Sequence, residues 1–116
     1  MATITFSVSY VGSNLVVSWA AMAGGDVGAA FNHPGPYGVA SVQYVGTWGS
    51  STLTFQGSND GTNYVTLADP QGNALSKTAD GLEAILEGAV YYRPNFGAGT
   101  GTGLTVTLAF TGRSPV

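Results

Sequence analysis

Polar and apolar residues alternate along most of this chain, and the alternation predicts β-strands. Ile4, Phe6, Val8 and Tyr10 alternate with Thr3, Thr5, Ser7 and Ser9, the period expected of a half-buried strand. Val11-Gly12-Ser13-Asn14 has turn chemistry, after which Leu15, Val17 and Trp19 begin a second alternating set. Val42, Tyr44, Gly46 and Trp48 oppose Ser41, Gln43, Val45 and Thr47, and Gly49-Ser50-Ser51 fits a short loop into Leu53-Thr54-Phe55. Ser58 to Asn63 reads as a further turn before Tyr64-Val65-Thr66-Leu67, and Asp69-Pro70-Gln71-Gly72 places Pro and Gly where a tight turn wants them. Ala89 to Arg93 and Leu104 to Phe110 complete the series.

Short strands at this spacing, divided by Gly-rich turns, predict an all-β fold. The expected architecture is an antiparallel β-sandwich with jelly-roll-like connections, about seven to nine strands and little or no helix. Trp48 and Tyr64 are expected to help fill its core. Leu82 to Glu87 has helical spacing, but Gly81 and Gly88 confine it to about one or two turns, and an irregular strand fits equally well. Two segments lack a period. Gly24 to Gly38 contains five glycines and two prolines, and Gly97 to Gly103 reads as a flexible connector.

The 116 residues suit one domain spanning 1–116, and 44% hydrophobic residues give enough apolar material for one core. Charge is the unusual property. Only 8% of residues are charged, against roughly 25% in ordinary soluble proteins, and three cations face six acids. So few cations neutralise few phosphates, so nucleic acid and anionic membranes are not expected partners. Without cysteine there is neither a disulfide framework nor a thiolate metal site. The first residues do not read as a signal peptide, and no apolar run approaches the roughly 20 residues of a membrane span.

Candidate chemistry is thin, and neither a catalytic centre, a metal nor a cofactor is expected. Glu83 and Glu87 share a face, but paired carboxylates on so uncharged a protein are more simply a solvated face. His33 is the only histidine and has no nucleophile-elbow pattern to serve. Asn59-Asp60-Gly61 lacks the acid spacing of an EF-hand, and Asx-turn chemistry accounts for it, although a loop calcium held partly by carbonyls stays open. Trp19, Trp48 and Tyr64 are candidates for a sugar-stacking platform, with core packing as the simpler role. The glycine connector precedes a strand and carries no P-loop lysine, so it does not read as a nucleotide loop.

Two resemblances bear on function. The stretch Phe55 to Leu67, followed later by Val90-Tyr91-Tyr92-Arg93-Pro94, resembles the discoidin or galactose-binding-like jelly roll. Over more of the chain, Gly25-Asp26-Val27-Gly28, Ser41 to Trp48, Ser58-Asn59-Asp60-Gly61, Asp69 to Leu75, Tyr92-Arg93-Pro94 and Thr105 to Leu108 follow one another in a telling order. That succession resembles small bacteriophage and prophage virion proteins of the capsid decoration (cement) type.

The second resemblance implies a non-enzymatic coat component, made in the host cytoplasm and carried on the capsid surface. Its partner would be the major capsid protein, and it would form a homo-oligomer, with a trimer favoured. The alternative is a carbohydrate-binding module or tail-associated adhesin domain. The outward strand positions agree with assembly, because isolated β proteins usually guard their edges with charge, especially Lys, and this chain has one Lys. Within Gly24 to Gly38, Val27, Phe31, His33 and Tyr37 are the expected partner contacts, as apolar or aromatic residues in a loop unable to form a long ladder.

Overall fold

In a computed structural model that describes residues 2–33, 40–86 and 88–111, the chain forms two β-sheets packed face to face, without helix among those residues. The all-β sandwich predicted from the alternation is therefore present. Among the described residues twelve strands are found where seven to nine were expected, and the excess comes from pieces of only two residues.

The long-strand sheet has the order β10-β6-β12-β3-β2: Gly81–Ala84, Ala40–Thr47, Thr102–Phe110, Asn14–Met22 and Phe6–Val11. The short-strand sheet runs β1-β4-β11-β7-β8, from Thr3–Ile4 through Val27–Gly28, Tyr91–Phe96 and Leu53–Ser58 to Val65–Thr66. Strand β5 (Phe31–Asn32) also pairs with β11, and β9 (Ser76–Lys77) with β7. Every pairing is antiparallel except that of β1 with β4.

The partners are nested. Strand β3 pairs with β12, β4 and β5 with β11, β6 with β10, and β7 with β8 and β9. This is one long antiparallel hairpin rolled up so that β12 also meets β6 and β11 also meets β7. Such a rolled hairpin is a jelly roll.

Register explains the core. In the long-strand sheet Phe6, Trp19, Val106 and Tyr44 lie in one inward row, and Val8, Val17, Leu108 and Val42 in the next. Opposite them stand Leu53, Phe55, Tyr92 and Phe96, all buried. Trp19 is fully buried at the centre, edge-on to Phe6 (6.0 Å) and Phe55 (6.2 Å), with its indole N–H donated to the Ala29 carbonyl at 2.9 Å. Of the two rings expected to help fill the core, Trp48 packs against it and Tyr64 does not. Trp48 is half-buried at the rim, edge-on to Tyr44 and Phe96. Tyr64 lies outside the core, with the Arg93 guanidinium 3.8 Å from its ring centre.

Two backbone devices make the packing possible. Trp19 and Met22 both face inward although three residues apart, because the β3–β12 register shifts between them and Ala21 takes φ +58°. This is a β-bulge, which reverses the alternation for one residue. The second concerns Pro94, which stands in an interior strand where a missing N–H would break a ladder. Phe96 donates its N–H to the Asp26 carbonyl on the β4 side, so Pro94, two residues earlier, turns its own nitrogen to that side. There it meets the break between β4 and β5, where no partner is needed. A Cβ on Gly28 would stand 2.5 Å from the Pro94 ring and 2.7 Å from Trp19, so that position requires glycine.

Candidate functional site

The expected partner-contact residues are spread over different settings. The segment expected to be an irregular loop holds β4 and β5, docked on β11. Phe31 is only 8% exposed and packs edge-on against Phe6 at 5.3 Å and beside Phe110 at 6.1 Å. Its ring is core, because β5 pairs Phe31 with the inward-facing Tyr92. Val27 is half-buried, its N–H donated to the Ala2 carbonyl. His33 is half-buried with its ring 4.6 Å from that of Phe110, and its backbone N–H is donated to Val90. Tyr37 lies outside the described residues.

Other sequence candidates also take definite places. Glu83 pairs with Lys77 at 3.7 Å, joining the edges of the two sheets, and Glu87 lies outside the described residues. In the Asn59-Asp60-Gly61 turn, the Asp60 carboxylate accepts the Thr62 and Asn63 backbone N–H groups, the Asn63 side-chain amide and the Ser58 hydroxyl. Those bonds, led by the Asn63 backbone, hold its carboxyl far below the usual carboxylate range. This is Asx-turn chemistry, with the carboxylate spent on its own loop. The glycine connector is also held down: Gly101 donates to the Ser51 hydroxyl and accepts from the Gly24 N–H, and Gly97 donates to the Thr52 carbonyl. It was expected to be flexible, but the Ser50–Ser51 turn anchors it.

Sequence reasoning missed several polar anchors. Buried Asp26 accepts the N–H groups of Ala2 and Ala23, both at 2.9 Å, and buried Asp69 accepts those of Gln71 and Asn73. Asp80 accepts the Trp48 indole N–H at 2.7 Å and the Gly46 N–H, which together hold its carboxyl below the ordinary value. Gly-Asp and Asp-Pro-x-Gly were the sequence cues, but a cue for a turn does not say which backbone groups the carboxylate will cap. Burial, helped by Glu83 and Asp69 nearby, pushes the Tyr44 hydroxyl up to about 12, so it stays protonated.

Two surface features remain. One is the outer face of the long-strand sheet. Register places Ser7, Ser18, Thr107, Gln43 and Leu82 in one row, and Ser9, Val16, Ala109, Ser41 and Ala84 in the next. Neither row carries a charge. The other feature is a cleft of about 300 Å³ beside the Asp60 turn, lined by Ser58, Asn59, Asn63, Val65, Leu67 and Ala89 among others. The Asn59 side-chain oxygen is engaged by the Val90 N–H, leaving its amide nitrogen as a donor at the cleft wall.

Fold and surfaces together define a jelly-roll β-sandwich with one uncharged broad face. Its fold is that of the SPBc2 prophage-derived protein YomS, which aligns over 89% of this chain and 99% of its own at a TM-score of 0.63 and 12% identity. Protein NMB1881 from Neisseria meningitidis aligns over 89% of this chain and 80% of its own, at a TM-score of 0.38 and 11% identity. No family model and no curated protein matches the sequence.

Proposed function

We propose that this chain is a virion structural protein, a capsid decoration or cement protein that stabilises a phage head by surface contact. In this reading it catalyses nothing, needs no cofactor, and sits on the capsid surface as a homo-oligomer bound to the major capsid protein. The observation that carries the reading is the charge-free outer face of the five-stranded sheet. A solvated sheet face normally carries charge that keeps it from associating, whereas small uncharged side chains let another protein surface approach with little desolvation cost. The motif succession resembling decoration proteins supports it, as does a fold shared with a prophage-derived protein. Fold alone would be weak warrant, because jelly rolls serve many functions.

The test adds purified protein to heads that lack it and measures occupancy. Saturable attachment is expected, weakened by Thr107→Lys in the middle of the uncharged face with the melting temperature unchanged. Attachment that ignores Thr107→Lys and a second charge at Ser18 would rule out this face. A second reading, a carbohydrate-binding module or adhesin domain, is favoured by the cleft with its amide side chains. Saturable binding on a glycan array, lost in Asn59→Ala and unaccompanied by affinity for heads, would select it.

A further inference from the structure

We infer that strand β2 is a self-complementary edge through which two copies of this chain join their long-strand sheets across a two-fold axis at Val8. The inference goes beyond the proposed head attachment and stands without it.

Strand β2 ends its sheet, and among the described residues no strand pairs with its far side. Its hairpin with β3 fixes which backbone groups are left over. Gly12, at φ +64°, and Ser13, whose φ is not positive, form a two-residue II′-type turn that joins Val11 to Asn14. Val11 and Asn14 therefore exchange hydrogen bonds, as do Ser9 with Val16 and Ser7 with Ser18. Alternation turns the N–H and C=O groups of Phe6, Val8 and Tyr10 to the open side. The side chains of these three residues share the inward face. Phe6 is packed against the core, but Val8 is 45% and Tyr10 66% exposed, because the facing sheet does not reach over them.

The occupant this edge fits is a second copy of itself. An antiparallel pair centred on Val8 sets Phe6 opposite Tyr10 of the other copy, Val8 opposite Val8, and Ser7 opposite Ser9. Phe6, Val8 and Tyr10 then meet one another on the same face and Ser7 meets Ser9, while Val11 at the strand's end faces Thr5. The residues that face each other as hydrogen-bonded pairs are those whose groups are free, giving about six backbone bonds across the axis. Shifting the register by one residue would oppose Val8 to Ser9 and put the apolar set on the wrong face. No charge stands on the strand to repel its copy, and no proline interrupts it. Pairing also continues the uncharged outer face from one copy into the next, through Ser7 and Ser9. A closed two-fold contact of this kind uses the same patch on both partners.

The chain has no cysteine, so engineered thiols read the register cleanly. Sedimentation of the whole protein between about 1 and 300 µM should show a monomer–dimer equilibrium, as befits an interface of modest area. Val8→Lys sets two like charges directly opposite each other and should weaken the dimer at least about tenfold with the melting temperature unchanged. Val8→Cys should form a disulfide-linked dimer under mild oxidation, since facing residues in a hydrogen-bonded pair have Cα atoms about 5.5 Å apart. Val11→Cys should not, because the two copies of that residue lie about 20 Å apart in this register. A monomer throughout the range, a dimer or trimer indifferent to Val8→Lys, or equal cross-linking at both positions would overturn the inference. So would a monomeric wild type whose β2 variants lose only attachment to heads, which would assign the edge to a capsid strand.

Discussion

The two sheets of this protein are built by different means. The long-strand sheet consists mainly of strands of six to nine residues whose alternation, interrupted by the bulge at Ala21, sorts core from surface. The short-strand sheet takes β1, β4, β5, β8 and β9 in pieces of two residues, too short to hold themselves in place. Buried or hydrogen-bonded aspartates act as staples there. Asp26 ties the chain before β1 to the turn ahead of β4, and Asp69 closes the turn between β8 and β9. A sheet made from pattern tolerates change on its outer face. A sheet made from staples depends on individual side chains, and each staple uses up a charge that would otherwise be free.

The widest test of this contrast is Trp19→Ala, which removes a fully buried ring packed against Phe6 in its own sheet and Phe55 in the other. It should cost about 3–5 kcal/mol in denaturant unfolding. A cost below about 1.5 kcal/mol would mean that the sheets are stabilised separately. Next, Phe31→Ala should destabilise the free protein by about 3 kcal/mol, since the ring is buried in its own core. A wild-type melt would detach β5 from the fold and return Phe31 to the role of partner contact.

Asp69→Ala should cost about 2 kcal/mol, by leaving the Gln71 and Asn73 N–H groups without their acceptor. Hydrogen exchange should show the loss confined to residues around β8 and β9. Equal loss of protection in β3 and β12 would erase the distinction between the sheets. Acid should act through two further aspartates, Asp60 in the turn before β8 and Asp80, which holds the end of β6 in the long-strand sheet. Asp60 and Asp80 have depressed folded-state values, so the unfolded chain takes up their protons first as pH falls. The stability they contribute is fully present above about pH 4, and it declines as pH drops from there through the folded values. Asp60→Asn should flatten the fall in melting temperature below pH 4, and an unchanged slope would remove Asp60 from the set of staples. The smallest effect belongs to the pattern-built sheet. Ala21→Gly should stabilise by up to about 1 kcal/mol, because alanine at φ +58° is strained where glycine is not. Destabilisation instead would show that the Ala21 methyl group is itself packed.

The sequence by itself determined the all-β class, the strands with sustained alternation and the turns written in Gly, Asn, Asp and Pro. Those are local matters: a period of two, or a residue that tolerates positive φ, acts on its immediate neighbours. The uncharged outer face was legible for the same reason, since alternation names the outward positions before any partner strand is known. Tertiary structure alone decided the rest. The nesting of β3 with β12, and the parallel meeting of β1 with β4, join residues far apart in the chain, and no local pattern encodes such pairings. The choice of central ring fell to tertiary structure too. Trp19 and Met22 both face inward because a bulge shifts the count between them, while Tyr64 stands before β8, where no period applies. Phe31 went inside because the break that Pro94 requires lets β5 dock as a separate piece on β11, carrying its ring into the core. A proline in one strand thereby set the fate of a phenylalanine sixty-three residues earlier, a coupling that exists only once the two strands are side by side.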